Sequence, residues 1–555
     1  MELYLSEVAS GSASSRARLF PLFAGVGLAL ALGSFEGASV QGIFPYLAGG
    51  LSTSSDHALW SLTYFIVHWS LGISLMPWTT ARYGPRRVFL AAAAVAAAGS
   101  AISAFTDNWW IMLASRGMQG IAAGLLVPLS QSVFLRHSPR SRHGLVTIFW
   151  SNAMLVPFFV GPAIGGWLST GPGYRWIFWL ALPLWILAAR LGGQGIPEEV
   201  SRPLPPPPFD FPGFVLLYTG LMALQITLDQ GENYGWLDSG FILRSSLLAL
   251  ISLLIFVWWE GVCSHPLLHF HYLLKRNYWL GLLLLCLGWA LFMGWASVLP
   301  LWAEQNLGYN GLWGSMILMP IGLGAIPLST LMDRLQGLVG LRRLVSLCFL
   351  LFAFAYGTAY LGPGMGLQDL FLPMLFIGLG AGMLFVPLTL IILAGIPAEN
   401  IPRAATTSNF IRVFSANIGV SLLSVYWARG TEVAASQLRG ELPLSGSQGA
   451  LPVWMLAHRL GAEAASLSLD SLFRISMWLA LAAALAAYFL LLPPAGLRSP
   501  HGPESYVEEE ELASLPASAE AVPGAREISY RGPGISVLAV SGSLSSSIGR
   551  NEVPS

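Results

Sequence analysis

Apolar residues run through this chain in long unbroken blocks, not in the spaced stripe of an amphipathic helix. Many blocks reach the roughly 20 residues that a helix needs to cross a bilayer. Read between charged or Gly/Pro-rich breaks, they predict spans near 19–43, 59–78, 87–106, 109–135, 143–168 and 175–192. A Pro-rich linker from Arg202 to Asp210 follows, with consecutive prolines at 205–208 that cannot continue a helix. Two more blocks lie near 212–229 and 241–262, and a second set of six near 279–303, 313–332, 343–361, 369–394, 404–427 and 472–492. The expected fold is all-α and integral to the membrane, with about 14 transmembrane helices in the order six, two, six.

The pattern divides the chain into a terminus at 1–18, a six-helix bundle at 19–192, and a linker with two extra helices at 193–278. A second bundle follows at 279–492, interrupted by an outer loop at 428–471 in which 453–467 predicts a short helix on the membrane surface. From 493 to 555 the composition turns to Ser, Gly, Pro and Glu, too poor in apolar residues for a core, so a disordered tail is expected.

Composition agrees with this reading. Of 555 residues, 55% are hydrophobic and 10% charged, against about 25% charged in soluble domains. A net charge of zero gives no field that would draw nucleic acid. Cys263, Cys286 and Cys348 are too scattered for a metal site or a disulfide framework, and His265, His269 and His271 read as loop histidines, so no metal is expected. Trp109, Trp110, Trp258 and Trp259 sit near span ends, where the indole ring anchors at the lipid interface. Arg16 and Arg18 precede the first block as in a signal sequence, but the block is too long for a signal core and reads as a retained span. Basic residues fall about 16 to 6 in favour of the side holding Arg82, Arg86, Arg87, Arg136 and Lys275, which places both termini in the cytoplasm.

Ionisable groups inside spans are costly and usually face a partner or a cavity. Glu36 lies within the first span, where a carboxyl group can change charge with the side of the membrane it sees, the property proton coupling needs. A carboxylate permanently paired for structure is the other reading. Arg116 in the fourth span is either the electrostatic partner of Glu36 or a tie between helices through backbone carbonyls. Arg412 reads mainly as a tie, and Asp229, at the end of the seventh span, as a solvated carboxylate. Gly161, Pro162, Gly165 and Gly166 close the fifth span with the small-residue spacing of a tight seam or hinge.

Several stretches taken together resemble the major facilitator superfamily, and within it the fourteen-span drug:proton antiporters of the EmrB/QacA group. Gly161-Pro162-x-x-Gly165-Gly166 is similar to the antiporter motif of the fifth helix, and Arg116-x-x-Gln119-Gly120 to the fourth-helix motif. Arg82, Gly84, Arg86 and Arg87 match the cytoplasmic gating loop, and Glu36 with Pro45 the first-helix pattern. Val127-Pro-Leu-Ser-Gln131-Ser, Leu228-Asp229-Gln-Gly231 and Asn409-Phe-x-Arg412 fit the EmrB-like branch, and the likeness covers about 19–492. Two departures stand out: Glu36 occupies a position that is usually Asp, and Ala81 replaces the Asp of the gating loop.

The resemblance implies two six-helix bundles, two inserted helices and alternating access. It also implies export of small amphipathic compounds in exchange for protons across the cytoplasmic (inner) membrane, with Glu36 and Arg116 as proton-coupling or substrate residues. Gln41, Gln119, Gln131, Asn409 and Arg412 are the cavity or helix-tie candidates. The proton gradient supplies the energy, with no cofactor. In a cell with two membranes, a periplasmic adaptor contacting 428–471 is implied. An exporter dedicated to one metabolite, fatty acid or siderophore is the alternative on the same fold. A membrane enzyme or sensor finds no phosphate loop, metal constellation or nucleophile–base pair to support it.

Overall fold

A computed structural model describes residues 2–139, 143–198, 208–362, 365–397, 400–441 and 453–492; prolines 205–207 and the tail at 493–555 lie outside them. Among the described residues, fourteen helices are long and apolar enough to cross a membrane. Numbered in chain order, the amino-terminal six are Leu19–Gly42, His57–Tyr83, Pro85–Phe105, Trp109–Arg136, Leu145–Thr170 and Arg175–Gly195. Helices 7 and 8 are Phe211–Gln230 and Gly240–Val262, and helices 9 to 14 are Arg276–Asn306, Gly311–Met332, Leu341–Thr358, Leu367–Leu393, Ile401–Gly440 and Met455–Leu490. The chain is a multi-pass membrane protein of the expected six, two, six order.

The packing repeats between the halves. Helix 2 lies on helix 4, helix 3 on helices 4 and 6, and helix 1 on helix 5; helices 10 and 12, 11 with 12 and 14, and 9 with 13 pair in the same way. The turns repeat as well. Gly84 between helices 2 and 3 and Gly340 before helix 11 stand at φ 84 and 85, a left-handed backbone that a side chain would strain. Each is followed, one residue on, by two arginines: Arg86 and Arg87, Arg342 and Arg343.

The halves meet along two seams, helix 2 on helix 13 and helix 5 on helix 10. At the second seam, a side chain at Gly165 would collide with the Ser39 backbone of helix 1, and one at Gly166 with the Gly311 backbone that opens helix 10. Gly161 faces Phe35 and Ser39 of helix 1, and Pro162 is carried inside the continuous helix His143–Thr170. The four residues of the fifth-helix motif thus sit where helices 1, 5 and 10 come backbone to backbone. Helix 7 packs on helix 8 and reaches both helix 2 and helix 13.

The outer loop expected at 428–471 is largely helix. Helix 13 runs on from Ile401 to Glu441, 41 residues, and helix 14 begins at Val453 and runs 38 residues to Leu490. At 1.5 Å per residue these are about 60 Å long, twice the hydrocarbon thickness of about 30 Å. The stretch 453–467 is the start of the last helix rather than a separate surface helix, and 442–452 lies outside the described residues. A purely apolar search for spans ends them at the bilayer and misses polar helical turns that continue beyond it.

Candidate functional site

Helix 1 is interrupted after Ala38 by a 3-10 turn, Ser39–Gly42, and Glu36 lies just before the break, 1% exposed. Its carboxyl Oε1 accepts a short hydrogen bond from the Ser100 hydroxyl of helix 3. Gln119 of helix 4 donates to the same hydroxyl from Nε2 at 3.3 Å, and its Oε1 accepts from Arg116 Nη1 at 2.6 Å. Helices 1, 3 and 4 are therefore joined by a buried polar chain running Glu36, Ser100, Gln119, Arg116. The second carboxyl oxygen, Oε2, is buried without a partner.

The direct pairing of Glu36 with Arg116 expected from charge does not form. Arg116 donates from Nη2 to the Glu36 main-chain carbonyl at 3.0 Å and from Nε to the Ser61 carbonyl of helix 2 at 3.1 Å. The guanidinium carbon lies 4.5 Å from the centre of the Phe65 ring. Carbonyl oxygens beside the 3-10 break are better placed as acceptors than the carboxylate, which points to helix 3. The hydrogen bonds to the Glu36 carboxyl and those made by Arg116 all lie within the amino-terminal half.

The other candidates are spread along the molecule. Gln41, in the 3-10 turn, is buried with Oε1 unpartnered. Gln131 is half-buried on helix 4, twelve residues and about 18 Å beyond Gln119. In the turn between helices 2 and 3, Arg86 and Arg87 pair with Glu198 at 3.2 and 3.8 Å, a residue beyond helix 6 that sequence reasoning missed. Arg82 is exposed on the last turn of helix 2.

Arg412 occupies a different setting. It is 1% exposed on helix 13, with its guanidinium carbon 4.7 Å from the Trp289 ring centre and 5.0 Å from that of Phe385. Nη2 reaches half-buried Asn409 Oδ1 at 3.4 Å, and Nε has no partner. Among the described residues no carboxylate pairs with it. Trp289 and Phe385 line a cavity of about 20 Å³ with Ser151, Met154 and Ser329, drawn from helices 5, 9, 10 and 12 of both halves. That volume holds about one water.

Asp229 departs furthest from expectation. Far from being solvated, its Oδ2 accepts from Thr63 of helix 2 at 2.8 Å, and its Oδ1 from Gln225 at 2.8 Å and Ser421 of helix 13 at 2.6 Å. Gln225 Oε1 in turn accepts a short bond from Asn417. Gln225 with Asp229, and Asn417 with Ser421, are each four apart, so each pair lines one helix face. That spacing was the available signal.

A family model described as Major Facilitator Superfamily matches residues 26–420. The chain belongs to the Major Facilitator Superfamily. It is similar to the fatty acid resistance protein FarB of Neisseria gonorrhoeae, 31% identical over 73% of this chain and 80% of that protein. The multidrug export protein EmrB of Haemophilus influenzae is 30% identical, over 74% of this chain and 82% of its own length. Among solved structures, a peptide transporter POT in complex with sulfate superposes with a TM-score of 0.57 at 15% identity, over 85% of this chain and 95% of that one. A D-xylose-proton symporter gives 0.55 at 15% identity, over 86% and 99%. At such identities the solved structures speak for the fold alone.

Proposed function

We propose that this superfamily member is a proton-coupled antiporter that exports amphipathic or lipophilic compounds across the cytoplasmic membrane by alternating access. Its similarity to the multidrug export protein EmrB over about four fifths of that protein's length carries the reading. Both termini face the cytoplasm, as the basic residues argue. The bundle end holding Gly42, Gly166 and Gly311 is then the outer end, and backbone contact there leaves the outer side shut.

Glu36 is the coupling group. It releases its proton towards the cytoplasm, and rocking of the halves strains the joint at Ser39–Gly42 and exposes the carboxyl, through Ser100 and Gln119, to the other side. A ligand moves such an equilibrium only through its different affinity for the two states, so proton and substrate must be coupled through the same joint. The test is efflux from reconstituted vesicles under an imposed pH gradient. Glu36→Gln is expected to insert normally and lose proton-driven efflux; undiminished efflux in that variant refutes the assignment.

A second reading, export of one carboxylate-bearing compound such as a fatty acid, is favoured by Arg412. A buried guanidinium with no carboxylate partner is costly, and an anionic substrate entering between the halves supplies the missing charge beside Trp289 and Phe385. In a cell with two membranes, a periplasmic adaptor docks on the extensions of helices 13 and 14.

A further inference from the structure

The two helices inserted between the halves carry a polar residue that the coupling scheme does not use. Asp229 ends helix 7, and each of its bonded neighbours belongs to a different body: Thr63 to the amino-terminal half, Gln225 to helix 7 itself, Ser421 to the carboxy-terminal half. Ser421 also accepts from Gln225 at 2.9 Å while its own hydroxyl points to Asp229, and Asn417 closes the ring on Gln225. All three groups around the carboxylate are donors. An ionised carboxylate only accepts, and so satisfies all of them, whereas a protonated one brings a fourth donor into the ring.

No Lys, Arg or His bonds to Asp229 among the described residues. The charged groups nearest along the chain, Glu232 beyond helix 7 and Arg429 on helix 13, pair with each other at 2.8 Å. Asp56 precedes helix 2, which carries His57, Tyr64 and His68 on either side of Thr63; His68 packs against Tyr218 of helix 7, and helix 13 carries Tyr426. Charge-assisted bonds are roughly twice as strong as neutral ones, so the charge on Asp229 sets how firmly the three bodies are held.

We propose that Asp229 is the latch of the outer end: ionised, it clamps helix 2, the inserted pair and helix 13 together, and a proton arriving from outside releases them. The proposal rests on the alternating-access reading and gives the inserted helices a place in the cycle. It predicts that outer acidity favours outer opening, independently of Glu36.

The test is the distance between spin labels at Gly49, an exposed residue of the amino-terminal half, and Val433, exposed on helix 13, in a cysteine-free chain reconstituted in lipid. From about pH 8 to about pH 4, which reaches the ordinary carboxyl range as well as the raised one of buried carboxyl groups, the wild type should gain a longer-distance population severalfold. Asp229→Asn should show that population at both pH values, and Asp229→Glu should restore the pH response. Thr63→Ala with Ser421→Ala should raise the long-distance fraction at high pH while leaving the carboxylate in place, which guards against misfolding of the Asn variant. A wild-type pH response that survives in Asp229→Asn overturns the latch alone. A distance that moves with neither pH nor an exported dye overturns the alternating-access reading with it.

Discussion

Two arginines show how differently this chain accommodates a buried charge. Arg116 spends its donors on the carbonyls of Glu36 and Ser61 and on Gln119, and so ties helices 1, 2 and 4. Arg412 has one long bond, to Asn409, and two aromatic faces. Hydrogen bonds to charged groups contribute about 1.5–3 kcal/mol each, so Arg116→Gln should lower the melting temperature sharply. Arg412→Gln should leave it unchanged or raise it, since an uncompensated buried charge is removed. In nanodiscs, dodecanoate should raise the melting temperature of the wild type and not of Arg412→Gln; an equal shift by a dodecyl ammonium salt would count against the carboxylate reading. The identity of these residues was legible in the sequence, because charges inside apolar blocks are conspicuous. Their partners were less so: position within a span says how deep a group lies but not which helix it faces, so the sequence leaves Arg116 open between the Glu36 carboxyl and backbone carbonyls, of which the carbonyls take it, and it does not reveal Ser100 beside Glu36 or Thr63 and Ser421 around Asp229.

Among the elements, the connection between helices 8 and 9 is more than a loop. Glu260 accepts the amides of Leu267 and Leu268 at 3.3 and 3.1 Å, and the His269 amide donates to Thr407 of helix 13 at 3.0 Å, so the segment straps the inserted pair to the carboxy-terminal half. Burial first, then Arg403 and His271, lower the His269 imidazole from its usual range to about 4. A base whose folded value is depressed stabilises the docked form above its unfolded value of about 6.5 and loses that contribution as pH falls towards 4. Protection of the Leu267 to His269 amides, taken relative to the intrinsic exchange rate at each pH, should therefore fall between about pH 6.5 and 4. In His269→Gln, where Glu260 still holds its amides, that window should disappear; persistence of it would assign the effect to another group. The spans themselves were readable because twenty apolar residues in a row admit few alternatives in lipid. The strap was not, since its anchors are backbone amides that carry no signature in the side chains.

At the scale of the whole molecule, the extensions of helices 13 and 14 set this chain apart from a bundle that ends at the bilayer. Ser468 donates to the Trp427 carbonyl at 3.1 Å, and Gly430 lies so close to Ser468 that a side chain there would collide with it. The two helices thus begin their outward course packed against each other. Beyond that point the pair carries Glu432, Arg439, His458, Arg459 and Glu463, a polar hairpin about 30 Å longer than the hydrocarbon requires. A hairpin that served only to join two spans would need a few residues. Replacing 432–462 by a short Gly/Ser linker shortens the hairpin and leaves the Trp427–Ser468 contact in place. Such a chain should still insert, melt within a few degrees of the wild type and export into the lumen of vesicles, where one membrane is crossed. In a cell with two membranes it should lose resistance to an exported compound and fail to co-purify with an adaptor. Loss of transport in vesicles as well would mean that the extension belongs to the transport cycle itself and not to a contact beyond the membrane.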